Sequence, residues 1–266
     1  MHFIRRIAAA AALLGPLAAA SAALAAPCPA PDNATRVSGA GECLVIRTFG
    51  AAPGRGQPVL AVVIHGDVSA GGPANYHFRL AEQIAAAGTV AVGLVRPGYE
   101  DGAGAQSSGS NDNRSDSYTP ENVDAVAAAV RALRAHHKAR RVVLIGHSGG
   151  AAIAGVVLGK HPGLADAAVL VACPCHLPNW RSGRRAWTRS ESPHAYAGAV
   201  PASALVIALT GSLDDNTFPA LGASYARSLA ARGVRARFFE VPGANHSAVF
   251  RAPETLQAIR DAVAGR

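Results

Sequence analysis

The chain has 266 residues, half of them hydrophobic, 16% charged and 5% aromatic. That balance excludes a wholly disordered chain and suits one globular domain, since single α/β sheets reach this length. The formal charge is +8, yet no block of lysine and arginine interleaved with aromatics appears, so a nucleic-acid partner is not expected.

The first predicted element is a leader. Arg5 and Arg6 precede an apolar alanine and leucine stretch, and Ala23-Leu24-Ala25 offers the small residues that signal cleavage requires. Residues 1–26 are expected to form a signal peptide cut after about Ala25 or Ala26. The catalytic domain, 27–266, would then be periplasmic or secreted, without stable membrane insertion. An uncleaved anchor is the alternative, but Gly15-Pro16 breaks the apolar run short of the roughly 20 residues that a spanning helix needs.

Cysteines in an exported chain point to oxidation. Cys28 and Cys43 flank a short polar segment, where a bridge would pin an otherwise loose arm. Cys173-Pro174-Cys175 stays open: a bridge across one residue would be strained, and free thiols are unusual outside the cytoplasm. Cys175-His176 has no second ligand pair at a suitable spacing, so no metal is expected.

Apolar runs then alternate with helical patterns. Strands are predicted at 59–64, 89–95, 142–145, 167–172, 205–209 and 237–241. Helices are predicted at 75–87, from Thr119-Pro120-Glu121 onward, at 149–158, around Leu221, Tyr225 and Leu229, and at 253–264. Thr119 caps, Pro120 fills the first helical position and Glu121 suits the positive end of the dipole. The Gly/Ser-rich stretch from Gly98 to Ser117 is too long for a plain connection and is a candidate for lining a site. Continuous apolar strands between helices predict an α/β fold, a mostly parallel central sheet with helices on both faces, and ligands bind beyond the carboxyl ends of such strands.

The chemistry-bearing residues fall at those ends. Gly146-His147-Ser148-Gly149-Gly150 joins a predicted strand to a predicted helix, the context in which a G-x-S-x-G turn lifts a serine hydroxyl clear of the sheet. A serine needs a base, and the base needs an acid to set its tautomer. His246 lies in a polar loop after the last strand, with no core to satisfy. His65, His77, His136, His137, His161, His176 and His194 are rival bases, of which His136 and His137 suit the negative end of a helix. The acid is Asp214 or Asp215, the other of the pair capping the helix that starts near Pro219. The amides of Gly149 and Asp67 are placed to receive an oxyanion, with His65 bracing the loop. The segment 173–200 forms a minimal lid, and its Trp180 and Trp187, together with Tyr99, are candidates for lining the substrate pocket, or for anchoring loops. Arg181, Arg184, Arg185 and Arg189 read as a solvated group, or else as one that attracts acidic substrates or an anionic surface.

The motifs VVIHGD, GHSGG, GSLDDNT and VPGANH together resemble the α/β-hydrolase superfamily, and within it the prolyl-oligopeptidase and dienelactone-hydrolase branches. The stretch 211–246 is similar to a dipeptidyl-peptidase-like catalytic domain, and that resemblance implies that Asp214, the first aspartate of its pair, is the acid. Two departures loosen the substrate class: no propeller-like segment precedes the domain, and serine stands where true dienelactone hydrolases have cysteine.

The leading expectation is a serine hydrolase, with no metal or organic cofactor, cleaving carboxylic esters or related acyl bonds of a small molecule. A small serine peptidase acting on short peptides uses identical chemistry and is the first alternative. A non-catalytic binding module on a hydrolase scaffold is the second, since fold alone does not prove activity. The sequence does not specify an oligomeric state.

Overall fold

A computed structural model describes residue 28 and residues 31–50, 56–86 and 88–266. The predicted signal peptide lies outside the described residues. The strands are β1 (Arg36–Gly39), β2 (Glu42–Phe49), β3 (Val59–Ile64), β4 (Thr89–Leu94), β5 (Arg141–His147), β6 (Ala167–Val171), β7 (Leu205–Gly211) and β8 (Arg235–Val241). They form one sheet in the order β1-β2-β4-β3-β5-β6-β7-β8, parallel from β4 through β8. The helices are α1 (Tyr76–Ile84), α2 (Pro120–His136), α3 (Gly149–Lys160), the single turn α4 (Leu177–Trp180), α5 (Pro219–Ala230) and α6 (Pro253–Ala264).

The sheet is covered on both faces because its inner strands are mainly apolar and buried at nearly every position. Alternate residues of β3 divide between two cores. Leu60, Val62 and Ile64 pack with α2, α3 and α5, whereas Val59, Ala61 and Val63 pack with α1 and α6. At the start of α2 the Thr119 hydroxyl accepts from the Asn122 amide, as the capping pattern predicts. The edge strand β8 exposes Arg235, Arg237 and Glu240, charges that discourage pairing with another strand.

The sequence reading assigned no strand before residue 59, and the structure corrects it. Residues 36–49 form a hairpin, with β1 antiparallel to β2 and β2 antiparallel to β4. Cys43 and Val45 bury on one face of β2 while Leu44 and Ile46 bury on the other, so the run is apolar for only four residues and escapes notice. Cys28 is disulfide-bonded to Cys43, which ties the N-terminal arm to this edge, and Cys173 is bonded to Cys175. Among the described residues no helix is long and apolar enough to cross a membrane, and no cluster of three His, Cys, Asp or Glu could hold a metal ion.

Candidate active site

β5 ends at His147, and Ser148 turns the chain into α3 with φ 53° and ψ −120°. A non-glycine residue in that region is strained, and the neighbours make room for it. A Cβ at Gly146 would strike the Gly150 carbonyl and the Ala151 backbone, and one at Gly150 would press on the Ile64 and His65 carbonyls. The Val171 carbonyl accepts from the Ser148 amide at 2.8 Å, pinning the turn to β6.

His246 sits on the loop after β8, with Nε2 3.0 Å from Ser148 Oγ and Nδ1 2.9 Å from Asp214 Oδ2. Asp214 lies on the turn after β7. Its Oδ1 accepts from the Asn216 and Thr217 amides at 3.0 and 2.8 Å, and its Oδ2 from the Thr217 hydroxyl at 2.8 Å. Burial alone would raise its carboxyl. The hydrogen bond and charge of His246, with the Thr217 donors, outweigh burial and hold it below the ordinary carboxylate value. Asp215 is exposed, and α5 has no side-chain cap. The expected capping aspartate is therefore absent, because Phe218 occupies the N-cap position and Asp215 lies three residues before it.

The Gly149 and Asp67 amides flank Ser148, and neither donates to an acceptor among the described residues. Asp67 is held from below. Its Oδ1 accepts from Arg96 Nη1 at 2.8 Å and its Oδ2 from the Tyr118 hydroxyl at 2.6 Å, all buried. Tyr99 donates to the Asp67 carbonyl at 3.0 Å. Tyr99 is therefore a brace behind this loop and does not line the cavity, a correction to the sequence reading. Its burial, at 1% exposure, is a consequence of that hydrogen bond and of its edge contact with His65. His65 accepts from the Arg96 amide through Nε2 and lies against the Gly66 carbonyl through Nδ1, a bracing position.

Ser148 and His246 open onto a cavity of about 660 Å³, walled in part by Trp180, Trp187, Arg181, Arg184 and Arg251. Trp180 and Trp187 meet edge to face at 5.0 Å, and Trp180 Nε1 donates to the Asn216 carbonyl. The stretch from Gly98 to Ser117 does not reach the cavity. It braces the scaffold instead: Ser107 Oγ joins the Val45 amide to the Val95 carbonyl, and Arg114 donates to the Val68 and Gly72 carbonyls. Two arginines of the group read as solvated, Arg181 and Arg184, line the cavity, whereas Arg189 pairs with Asp112.

Two participants escaped the sequence reading. Tyr76 Oη accepts from the Gly66 amide at 2.7 Å and lies 2.7 Å from His147 Nδ1, and His147 Nε2 lies 3.0 Å from the His246 carbonyl. Nothing in their sequence context distinguishes them, apart from the place of His147 inside the G-x-S-x-G turn. The other histidines lie elsewhere: His161 pairs with Asp124, and His77 is buried beside Phe78.

Residues 96–188 match a family described as alpha/beta hydrolase fold. No curated protein matches the sequence. Among solved structures the chain resembles the Pyrococcus horikoshii acylaminoacyl peptidase, at 14% identity and a TM-score of 0.65, over 85% of this chain and 39% of that one. A Mycobacterium tuberculosis puromycin-hydrolyzing peptidase is 18% identical with a TM-score of 0.66, over 86% of this chain and 38% of that one. The chain thus spans about two-fifths of the length of these peptidases. Est1E from Butyrivibrio proteoclasticus, solved with ferulic acid, is 14% identical with a TM-score of 0.63, over 86% of this chain and 96% of that one. The chain has the α/β-hydrolase fold.

Proposed function

We propose that this chain is an exported serine hydrolase that cleaves carboxylic esters, or related acyl bonds, through an acyl-enzyme. The observation that carries the reading is the hydrogen-bonded row Ser148–His246–Asp214, with spacings of 3.0 and 2.9 Å, at the base of an open cavity. Ser148 Oγ attacks the substrate carbonyl carbon while its proton passes to His246 Nε2. The oxygen that becomes negative is received by the Gly149 and Asp67 amides, whose loop is fixed by Arg96, Tyr118 and Tyr99. Collapse expels the alcohol, which takes the proton from His246. Water then repeats the sequence from the other side, releasing the acid and restoring Ser148. Asp214 keeps the Nδ1 proton in place and offsets the imidazolium charge. The two disulfides agree with an oxidising compartment, which supports the export part of the reading.

A peptidase that recognises a free amino terminus needs an unpaired carboxylate in its cavity. Asp67, the carboxylate of this wall, is already bound to Arg96 and Tyr118, which favours esters over such peptides. Fluorophosphonate labelling of the chain beside Ser148→Ala, with turnover of short 4-nitrophenyl esters against aminoacyl and X-Pro amides, tests both parts. Labelling is expected only with Ser148 present, and ester turnover is expected to dominate. Equal labelling of the two proteins, or amide cleavage far outpacing ester cleavage, defeats the reading.

A further inference from the structure

The cavity over Ser148 carries positive charge on two flanks. Arg181 and Arg184 reach it from the segment that follows β6, and Arg251 from the turn before α6. Among the described residues none of the three pairs with a carboxylate. Asp67 faces the same cavity, but its oxygens are engaged by Arg96 and Tyr118.

Arg181 is held in place. Its Nε donates to the Arg185 carbonyl at 2.9 Å, and its guanidinium carbon lies 5.1 Å from the Trp180 ring and 5.2 Å from the Trp187 ring. Its terminal nitrogens find no acceptor among the described residues. Arg184 stands beside it, Nη1 3.5 Å from Asn216 Oδ1. Burial, and then the like charge of Arg184, hold Arg181 below the ordinary arginine value, as expected of cations that lack a counterion. A surface arginine is usually solvated and needs no explanation. This pair differs because one member is held by the Arg185 carbonyl beside two indole rings, and both face the cavity that holds the candidate nucleophile. Planar guanidinium groups with spare donors match a planar carboxylate.

We infer that the substrate of this site is an ester that also bears an ionised carboxylate, which Arg181 and Arg184 receive while the apolar body lies against Trp180 and Trp187. The inference rests on the ester-hydrolase reading and narrows it. The carboxylate belongs either to the acyl part or to the alcohol part of the ester, and the two arms of the test separate these sources.

The first arm compares 4-nitrophenyl hydrogen glutarate with 4-nitrophenyl methyl glutarate. The second compares 4-acetoxyphenylacetate with its methyl ester, in which the methylene insulates the leaving phenol from the charge. The spontaneous rate of each ester, which for the hydrogen glutarate includes attack by its own carboxylate, is subtracted, and the enzyme-dependent rates are compared. In one arm kcat/KM is expected to favour the anion about tenfold at low ionic strength, an advantage that shrinks as salt screens it. Arg184→Gln and Arg181→Gln should each lower the anion-to-neutral ratio severalfold. Arg131→Gln, an equal loss of charge on the exposed side of α2, should leave that ratio unchanged. Equal or better use of the neutral ester in both arms overturns the inference while the hydrolase reading stands. So does a ratio that ignores Arg181 and Arg184, or that falls equally with Arg131→Gln. Failure to turn over any of the four esters overturns the ester reading and this inference together.

Discussion

His147 Nε2 donates to the backbone carbonyl of His246 at 3.0 Å, so a histidine of the nucleophile turn holds the loop that carries the candidate base. With Nε2 as donor, a neutral ring must accept at Nδ1, and Tyr76 supplies that hydrogen while its own oxygen accepts from the Gly66 amide. The result is a directed chain from the loop before Asp67 to the loop of His246, two parts of the site 180 residues apart in sequence order. Tyr76→Phe breaks it and leaves Gly66 N–H and His147 Nδ1 without partners. We expect kcat on a neutral ester to fall about tenfold with KM little changed, the kinetic equivalent of one misplaced buried hydrogen bond. Steady-state kinetics beside a melting curve checks this. A kcat within twofold of the parent, with the fold intact, would show that the chain of hydrogen bonds positions nothing.

The same ring carries a pH dependence. Burial, and then the proximity of His246, push His147 down to about 4, and burial pushes His77 down to about 3 and His65 well below its ordinary value. The charged groups facing them reinforce this: Arg96 and Arg114 act on His65, Arg47 on His77 and Arg251 on His147, while Asp214 opposes at His147. Each ring is therefore neutral when folded and takes up a proton more readily when unfolded. Stability is full above the unfolded value near 6.5 and declines as pH falls from there toward 4. The slope is on the order of 1 kcal/mol per pH unit for each such histidine. The melting temperature measured from pH 7 to pH 4.5 should fall steadily, and His77→Phe should flatten the curve. A flat profile in the parent over that range would contradict it.

The parts of the fold that could be read from sequence are those with a strong local cause. β3 and the 142–145 part of β5 are continuous apolar runs followed at once by turns that contain glycine, so both the strand and its functional end announce themselves. Ser148 and His246 were legible because each lies in a polar turn just beyond a strand; the same position left Asp214 and Asp215 open, and the family resemblance alone pointed to Asp214. The hairpin of β1 and β2 was not legible, since its pairing depends on β4, far along the chain. Tyr99 illustrates the opposite case. The sequence offers it as a pocket wall or as a loop anchor, and its hydroxyl donates to the Asp67 carbonyl inside the scaffold, which is the anchor. For Arg181 and Arg184 the choice between a solvated group and one that attracts acidic substrates stayed open, because the indoles beside Arg181 and the cavity are products of tertiary structure.

The two adjacent aspartates should separate cleanly. Asp214→Asn removes the acceptor that holds the Nδ1 proton of His246, and loss of the correct tautomer in such a row lowers kcat by about 10⁴-fold. Asp215→Asn touches neither the His246 ring nor the α5 cap, and kcat should stay within about twofold, as for other exposed substitutions. Pre-steady-state and steady-state turnover of the same ester distinguishes them. Comparable losses in both variants would mean that the acid has been assigned to the wrong residue.

Beneath the oxyanion loop, Arg96 is 1% exposed and its Nη1 lies 2.8 Å from Asp67 Oδ1. Breaking such a pair leaves a buried cation without its counter-charge, whereas replacing it whole need not. Asp67→Ala should therefore destabilise the chain by about 3–5 kcal/mol and free the loop whose amide faces Ser148. Asp67→Asn keeps one acceptor, its amide oxygen for Arg96 Nη1, and turns its NH2 toward the Tyr118 oxygen, which must then accept, so a smaller loss, about half of that, is expected. Denaturant unfolding of the three proteins ranks them, and a ranking with Asn as damaging as Ala would place the effect in charge alone. Because the side chain is 8% exposed and belongs to the cavity wall, the loss in kcat should follow the loss in stability in the same order. An Asp67→Ala protein that remains as stable as the parent would show that Arg96 finds solvent or another acceptor, and that the loop is held by Tyr99 instead.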